Sequence, residues 1–400
     1  MNNRRHPDRL AWALALLYGL DRLLKLLAVR SFFRRQPPPA PVVWPTVTLI
    51  CPITRSPNAL RPALETRTRL DYPGPQRCLL ICDEADAASQ TLCRELSAAH
   101  PAWPATLLSV KPERGAVASK VTKMRAALPH ADGDVLCFVD DDVLLRPDAL
   151  RVLVPYVMQP GVGAAFGLAC YTAWATLAES LLSGFVNTSA LLGYVPLAFL
   201  VEPFTITGHC IALRRECFHA IGGLDGMEGR LDDDHELARR VRRHGLHNVQ
   251  TPLIYDVANR LATLADYHAQ MRRWLLIPRQ TMLPELTSYE RSALLLSGIG
   301  AFLPPLLALL ALIRRRPATL AALGLSLGGF VGSYALIERG YLKRLMPARC
   351  WLLLPLLACG TPLHLLLAAL GDETADWRGQ RLRIARGGHF TVLSAEEHAP

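Results

Sequence analysis

Three long apolar stretches near the C-terminus most constrain how this chain can fold. They are residues 292–313, 318–337 and 350–370, and none contains Asp, Glu, Lys or Arg. Each is about 20 residues long, which is the length that an α-helix needs to cross the hydrocarbon core of a bilayer. The sequence therefore predicts a protein that lies partly in a membrane, and not two or three soluble domains.

An apolar run near the N-terminus, residues 10–20, is followed at once by charged residues. It predicts either a spanning helix, in which Asp21 and Lys25 pair one helical turn apart, or a helix that lies in the membrane interface. No small-residue cleavage site follows the run, which argues against a cleaved signal peptide. We favour a spanning helix.

The distribution of charge separates the two ends of the chain from its middle. Residues 1–35 hold eight Lys and Arg against two Asp and Glu, and residues 291–400 hold twelve against six. Both ends therefore carry +6, and the middle carries −2 of the total net charge of +10. Positive charge beside apolar segments is typical of a protein that faces anionic lipid. A nucleic-acid binder would concentrate positive charge on its folded domain, so we exclude that class.

Membrane topology depends on the first of the three C-terminal stretches. If all three cross, the basic tail around Arg378–Arg386 lies opposite the cytoplasmic domain, which breaks the positive-inside tendency. Pro304 and Pro305 interrupt the first stretch, so it could return to the side from which it entered. We favour that arrangement, which keeps the tail cytoplasmic. The ten cysteines are scattered, and we interpret them as small core residues in a reducing compartment.

The middle of the chain alternates short apolar runs with helical stretches. After the Pro-rich linker 37–45, strands are predicted at 46–51, 78–82, 106–110 and 135–139, with helices at 58–70, 87–98 and 120–128 between them. Short buried strands that alternate with helices predict an α/β fold with a doubly wound, mostly parallel sheet. Ligands of such sheets bind beyond the carboxyl ends of the strands.

Acidic residues follow two of these strands. Asp140, Asp141 and Asp142 come directly after the strand 135–139, where Asp140 and Asp142 point to the same side. Their oxygens could share a divalent cation, Mg²⁺ or Mn²⁺, with a diphosphate that completes its coordination. Asp83 ends the strand 78–82 and could accept hydrogen bonds from a nucleotide base. A solvated turn or a helix cap is the plainer explanation for either group.

Two further motifs lie later in the chain. Asp232, Asp233 and Asp234 open a predicted helix over 233–244, and three acids in a row are more than a helix cap needs. One of these carboxylates could take a proton from an acceptor hydroxyl as a general base. Gln270, Arg273 and Trp274 share one face of a predicted helix over 264–276. That face offers an amide, a guanidinium and an indole, which suits a pyrophosphate and an acceptor, although a basic helix on lipid headgroups would look the same.

With these motifs in this order, the chain resembles the inverting nucleotide-sugar glycosyltransferases with the GT-A fold, of families 2 and 21. It is most similar to the ceramide glucosyltransferase branch, which also holds bacterial hopanoid-associated glycosyltransferases. The resemblance covers about Pro45 to Pro284 and includes LDYPGP at Leu70–Pro75 and RLDDDHELA at Arg230–Ala238.

The resemblance implies roles for individual residues. Asp83 matches the aspartate that binds uridine, and Lys120 matches a lysine near the donor phosphates. Asp140 and Asp142 match the metal-binding motif, and Asp234 matches the general base, with Asp233 beside it. Gln270, Arg273 and Trp274 match the family's Q/RxxRW signature. Ala118 and Ser119 replace a usual Asn-Pro, and Ala190 stands where the animal ceramide enzymes have a histidine, so ceramide itself is the least supported acceptor.

These patterns predict five parts: an N-terminal membrane or interfacial helix (1–36), the linker, a glycosyltransferase domain (46–290), membrane segments (291–371) and a basic tail (372–400). The predicted function is transfer of one sugar from a UDP-sugar to a lipid hydroxyl, by an integral protein of a bacterial inner or plasma membrane whose catalytic domain is cytoplasmic. The alternatives are a processive polysaccharide synthase and a non-catalytic membrane scaffold with the same fold.

Overall fold

A computed structural model describes residues 6–54, 57–111, 118–377 and 380–393. Arg378, part of the predicted basic tail, lies outside these ranges. The strands are β1 (Val47–Pro52), β2 (Gln76–Asp83), β3 (Ala105–Val110), β4 (Val135–Val139), β5 (Val143–Leu144), β6 (Val162–Tyr171), β7 (Cys210–Arg214), β8 (His247–Val257), β9 (Thr374–Trp377), β10 (Gln380–Ile384) and β11 (Phe390–Val392).

The α-helices are α1 (His6–Phe33), α2 (Pro57–Arg67), α3 (Ala87–Ala99), α4 (Ser119–Ala127), α5 (Ala149–Val157), α6 (Leu177–Leu197), α7 (Arg215–Ala220), α8 (Asp233–Arg243), α9 (Leu264–Gln280), α10 (Ser288–Gly298), α11 (Leu303–Arg314), α12 (Pro317–Ile337) and α13 (Leu354–Leu370). Short 3₁₀ turns join α10 to α11 and precede α13. The long helix α6 was not predicted from the sequence.

The first eight strands form one sheet in the order β3-β2-β1-β4-β7-β6-β8-β5. β1, β2, β3 and β4 are parallel neighbours, and β6 is parallel to β8. β7 runs antiparallel to both of its neighbours, and β5 runs antiparallel to β8. The predicted α/β class and mostly parallel sheet are confirmed, and the antiparallel β7 is the feature that periodicity did not reveal.

The central parallel strands of the sheet are buried on both faces, which is why they appear in the sequence as continuous apolar runs. Every residue of β1 and β4 is buried. Cys51, Cys82 and Cys137 lie in this core, and all ten cysteines are free thiols. The interpretation of the cysteines as core residues therefore agrees with the structure.

Within the described residues, four helical segments are long and apolar enough to cross a membrane: 177–197, 288–314, 317–342 and 348–370. The last three contain the predicted stretches, and the first is α6, most of which is buried inside the protein. α1 packs along α12 and also contacts α6 and α11. Large leucines such as Leu16, Leu20 and Leu24 are exposed on its outer face.

Within the segment predicted to be a basic tail, β9, β10 and β11 form a second sheet. Its strands pair antiparallel in the order β11-β10-β9. Leu382 and Ile384 point inward and are fully buried, while Arg381 and Arg383 are exposed. This small sheet packs on the domain that is built around the eight-stranded sheet, as described below.

Candidate active site

The site is organised around Lys120 in the first turn of α4. Its ammonium lies 2.9 Å from Oδ1 of Asp140, directly after β4, and 3.1 Å from Oδ2 of Asp233, at the start of α8. It also donates to the carbonyl of Gly208, at 3.2 Å. Burial alone would lower the pKa of Lys120, but the two carboxylates raise it well above its usual value. One ammonium thus joins two acidic motifs that are about ninety residues apart in the sequence.

Asp234 directly follows Asp233, the α8 member of this ion pair. A Cβ added to Gly208 would be 2.8 Å from Oδ2 of Asp234, so the backbone that accepts from Lys120 passes directly against this carboxylate. Desolvation and the neighbouring Asp233 raise the pKa of Asp234 to about 7, and the charge of Lys120 opposes that rise. A carboxyl group whose pKa lies near neutrality is suited to take a proton at physiological pH.

Asp83 is tied to the same helix by a second lysine. The ammonium of Lys123, which is 1% exposed, donates to Oδ2 of Asp83 at 2.7 Å and to Oγ of Ser119 at 2.9 Å. Lys120 and Lys123 are three residues apart and so lie on one side of α4. The helix therefore links the end of β2 to the end of β4. The sequence pattern singled out Lys120 but missed Lys123, although its helical spacing from Lys120 was visible.

The last residue of α2 fixes the backbone that follows β4. The buried guanidinium of Arg67 donates to the carbonyls of Asp140 and Val143, at 2.7 and 3.3 Å. The amide of Thr54, after β1, donates to Oδ2 of Asp141 at 2.5 Å. Asp141 therefore joins the end of β1 to the end of β4. No sequence pattern had indicated a role for Thr54 or Arg67.

Carboxylate oxygens are suitable donors for a hard divalent cation, so the donor set of Asp140 and Asp142 fits Mg²⁺ or Mn²⁺ in chemistry. Asp140 is 24% exposed and faces the site, whereas Asp142 is only 1% exposed. Among the residues that the structure describes, no cluster of three or more His, Cys, Asp or Glu side chains could hold a metal. Two carboxylates suffice only if a ligand such as a diphosphate supplies the remaining oxygens.

Trp274 on α9 reaches the site through aromatic neighbours. Its ring packs edge-on against Tyr171 at 6.0 Å between centroids, and the Tyr171 hydroxyl lies 3.1 Å from Nε2 of His209. The carbonyl of His209 accepts from the amide of Asp140 at 2.9 Å. Tyr171 and His209 were not predicted, because isolated aromatic residues at strand ends resemble ordinary core residues.

Gln270 lies one turn before Trp274 on α9, and Arg273 directly precedes Trp274. Nη2 of Arg273 donates to Oε1 of Gln270 at 3.0 Å. The neighbouring Arg272 turns instead to the C-terminal sheet, where it donates to the carbonyl of Thr374 at 2.8 Å and pairs with Asp372. The motif that was predicted to face a diphosphate thus also contacts the tail.

This site at the carboxyl edge of an α/β sheet, beside apolar helices, defines the class of GT-A-type glycosyltransferases. Glycosyl transferase family 21 matches residues 10–390 of the chain. The chain therefore belongs to glycosyl transferase family 21. The match does not distinguish the ceramide from the hopanoid branch.

A solved structure has the same fold. The mannosyltransferase PcManGT from Pyrobaculum calidifontis, in complex with GDP-Man and Mn²⁺, aligns with a TM-score of 0.53. The alignment covers 90% of this chain and 99% of that one at 19% sequence identity. This likeness supports the GT-A fold.

Curated relatives match a smaller part of the chain. An N-acetylglucosaminyltransferase of Bradyrhizobium diazoefficiens is 31% identical over 134 residues, which are 32% of this chain and 26% of that protein. One from Bradyrhizobium elkanii is 30% identical over 131 residues, 68% of its length. An uncharacterised protein y4gI of Sinorhizobium fredii is 30% identical over 139 residues, only 15% of its length. The family, these relatives and the fold support a glycosyltransferase.

Proposed function

We propose that the protein transfers a single sugar from a UDP-sugar to the hydroxyl group of a membrane lipid, with inversion at the anomeric carbon. The observation that carries the proposal is the position of Lys120, whose ammonium contacts both Asp140 and Asp233 while Asp234 lies against Gly208. A strand end suited to a diphosphate and a carboxylate suited to act as a base thus meet at one point.

The donor would bind along α4. Asp83 keeps one carboxylate oxygen for the uracil ring, since Lys123 is bonded to Oδ2 and fixes the orientation of the group. Lys120 lies on the same side of α4 as Lys123 and contacts Asp140, and from there its ammonium can turn to the phosphates of the donor. Charge develops on the departing diphosphate, so a positioned ammonium stabilises the transition state more than the ground state.

Asp234 would remove the proton from the acceptor. Its raised pKa, about 7, makes it a stronger base than an exposed aspartate when it is ionised. The acceptor oxygen then attacks the anomeric carbon as the bond to the diphosphate breaks, and the proton stays on Asp234. Asp233 keeps its contact with Lys120 and thereby fixes the first turn of α8.

A divalent cation, when bound, would supply positive charge at the diphosphate. Asp140, with Asp142 behind it, would hold the ion at the end of β4. The chain's own groups orient the donor around this position: Arg67 fixes the carbonyl of Asp140, and His209 fixes its amide.

The support for a lipid acceptor is the helix α6, which runs from the site to the membrane helices. The side chain of Asn187 pairs with the backbone amide and carbonyl of Tyr171, at 2.7 and 2.9 Å. Further along, Tyr194 lies within electrostatic range of Asp234. α6 also contacts α1 and α10. An apolar acceptor that follows this helix would reach Asp234 without leaving apolar surroundings.

Contacts at both ends of the helices support a topology. Asp8 at the start of α1 pairs with Arg316 before α12, and Phe33 at its end packs on Tyr341 after α12. α1 and α12 therefore run parallel. The loop after α12 meets the catalytic domain, where Arg344 pairs with Asp256 at 2.6 Å. We infer that α1, α10 with α11, and α12 each cross the bilayer.

The last apolar helix, α13, differs from these. The 3₁₀ turn before α13 contacts the catalytic domain, since Arg349 donates to the carbonyl of Trp174. The residue directly after α13 does so as well, since Arg279 of α9 donates to the carbonyl of Gly371 at 2.8 Å. Both ends lie on one side, so α13, rather than the first C-terminal stretch, returns to the side from which it came. The tail then shares the cytoplasmic side with the catalytic domain.

The proposal is tested with the full-length protein in lipid nanodiscs. UDP-N-acetylglucosamine is the first donor to try, because two relatives are N-acetylglucosaminyltransferases, followed by UDP-glucose, UDP-galactose and GDP-mannose. Acceptors are extracted bacterial lipids, with Mg²⁺ or Mn²⁺ present. We expect release of UDP together with a lipid that has gained one sugar by mass spectrometry.

Each other outcome contradicts a defined part of the proposal. A polymeric product would indicate a processive synthase. Absence of both UDP release and donor binding would indicate a scaffold that has lost activity. Release of GDP from GDP-mannose alone would contradict the uridine role of Asp83.

A further inference from the structure

We propose that the C-terminal sheet β9–β11 is a positioning element that holds Asp233 and Asp234 in register with α9 for sugar transfer. This inference rests on the proposed function, and it assigns a role to a segment that the sequence presented only as a basic tail.

The C-terminal sheet forms backbone hydrogen bonds with the segment that leads into α8. The amide of Leu231 donates to the carbonyl of Gly388 at 3.3 Å, and the amide of Phe390 donates to the carbonyl of Gly229 at 3.2 Å. Arg230 and His389 form an antiparallel bridge. The three residues before the acidic motif are therefore paired with β11 and the turn before it, much as a fourth strand would be.

The side chain of Arg230 connects this paired segment to the acidic residues. Its guanidinium donates to both oxygens of Asp232, at 3.1 and 2.9 Å, and lies 3.1 Å from Glu236. Arg230 is 7% exposed, and Asp232 is 1% exposed. Because this buried network flanks Asp233 and Asp234 on both sides in the chain, a shift of the tail shifts the start of α8.

The turn at Gly387–Gly388 fits closely against the same network. Both glycines have a φ of 87°, a left-handed conformation that favours glycine. A Cβ on Gly388 would lie 2.1 Å from Oδ1 of Asp232, whereas a Cβ on Gly387 would meet nothing within 4 Å. The two positions therefore share their backbone strain and differ only in contact with the acidic segment.

The opposite side of the sheet contacts α9, which carries Trp274. Arg272 donates to the carbonyl of Thr374, and the carbonyl of Gln280 accepts from the amide of Gly387 at 3.2 Å. Leu276 of α9 packs with Ala375 and Ile384 of the sheet. The tail thus joins the helix of the proposed base to the helix of the QxxRW motif, two elements distant in sequence.

Gly388→Ala and Gly387→Ala form a matched pair that tests this role. We expect Gly388→Ala to lower kcat at least about ten-fold, since small displacements of a base are costly, with the dissociation constant for UDP-sugar unchanged. Gly387→Ala should match the wild type in kcat. Measuring donor binding by calorimetry counts the folded sites, so that kcat is expressed per competent molecule.

A second pair keeps the test informative if Gly388→Ala folds poorly. Phe390 is 6% exposed and packs with the core under α8, whereas Val392 on the same strand is 37% exposed. Phe390→Ala should loosen the sheet and lower kcat, and Val392→Ala should not. Hydrogen exchange by mass spectrometry adds a readout that needs no turnover: amides 229–236 should exchange faster in Gly388→Ala and Phe390→Ala than in their controls.

The possible results separate this inference from the proposed function. Equal kcat and equal exchange for Gly388→Ala and Gly387→Ala would overturn the positioning role while leaving sugar transfer intact. Loss of donor affinity in parallel with kcat would also overturn it, because the tail would then support the whole domain. If the wild type transfers no sugar but the exchange difference is present, the proposed function fails and the coupling of tail to acidic segment stands.

Discussion

Charged groups are arranged differently in the site and at the junction between the sheet domain and the apolar helices. In the site, Asp140, Asp233 and Asp234 surround the single ammonium of Lys120. At the junction, the buried carboxylate of Asp256 has two guanidinium groups, Arg344 at 2.6 Å and Arg146 at 3.7 Å. The site around Lys120 keeps an excess of negative charge, and the junction around Asp256 has none.

The difference indicates where a ligand is expected. Charges that only stabilise a fold are usually paired, because an unbalanced buried charge is costly. An excess of carboxylates at a strand end persists more readily where a bound cation or a reacting proton compensates it. The comparison predicts that changes in the site alter catalysis with little loss of stability, and that changes at the junction do the reverse.

Replacing the proposed base should have the largest effect. Asp234→Asn should lower kcat by about 10²–10⁴-fold, because a neutral amide cannot accept the acceptor proton. Donor affinity should stay close to that of the wild type, which equilibrium dialysis with labelled UDP-sugar can check. Turnover that survives this change would remove Asp234 from the reaction.

Removing the shared ammonium should have the next largest effect. Lys120→Met leaves three carboxylates without their cation and should reduce kcat/KM by about 10- to 100-fold, the value of one or two charged hydrogen bonds. Lys120→Arg keeps the charge and serves as the control, with a smaller loss. Equal losses for both variants would mean that shape, and not charge, is what Lys120 provides.

The pH dependence of both kcat and stability should reflect the raised pKa of Asp234, about 7. The base must be ionised, so kcat should fall about ten-fold per pH unit below 7 and level off above it. The folded state holds this proton more tightly than the unfolded chain, whose ordinary pKa is 3.8, so stability falls as pH rises from about 4 to 7.

Asp234→Asn should therefore melt a little higher than the wild type at pH 8, and this gap should close near pH 4. Thermal denaturation in nanodiscs at the two pH values measures both quantities. A variant that is less stable than the wild type at pH 8 would contradict the raised pKa.

A change at the junction should have the smallest effect, and on stability alone. Arg344→Ala leaves Asp256 with Arg146 and, since Arg344 is 57% exposed, should cost about 1 kcal/mol or less. The melting temperature should drop by roughly 2–4 °C while kcat is retained. Arg339→Ala is the control, because Arg339 is exposed and forms no ion pair among the described residues. A large loss of kcat would show that the junction is part of the site.

The strands and the acidic motifs were predictable because they depend on local patterns. β4 coincides with the predicted strand 135–139, and α8 begins at Asp233 as predicted. A fully buried parallel strand must be a short apolar run, and its end is where a sheet binds ligands. These two regularities placed Asp83 and Asp140 at strand ends before their neighbours were known.

What could not be predicted depends on distant contacts. Lys123 becomes a partner of Asp83 only once α4 packs against β1 and β2, and its helical spacing from Lys120 does not by itself indicate that contact. The C-terminal sheet did leave a signal, since Leu382 and Ile384 alternate with arginines before the turn at Gly387–Gly388. Its strands have only three to five residues, so their stability comes from the segment 229–232, which no pattern in the tail reveals.

A structure of the protein with UDP and Mn²⁺, determined by electron cryomicroscopy in nanodiscs, tests the central claim most directly. The account predicts that the uracil ring lies against Asp83 and that the diphosphate lies between Lys120 and Asp140. Asp234 should then face the sugar position from the side of α6. A nucleotide bound away from α4, or a diphosphate without contact to either Lys120 or Asp140, would contradict it.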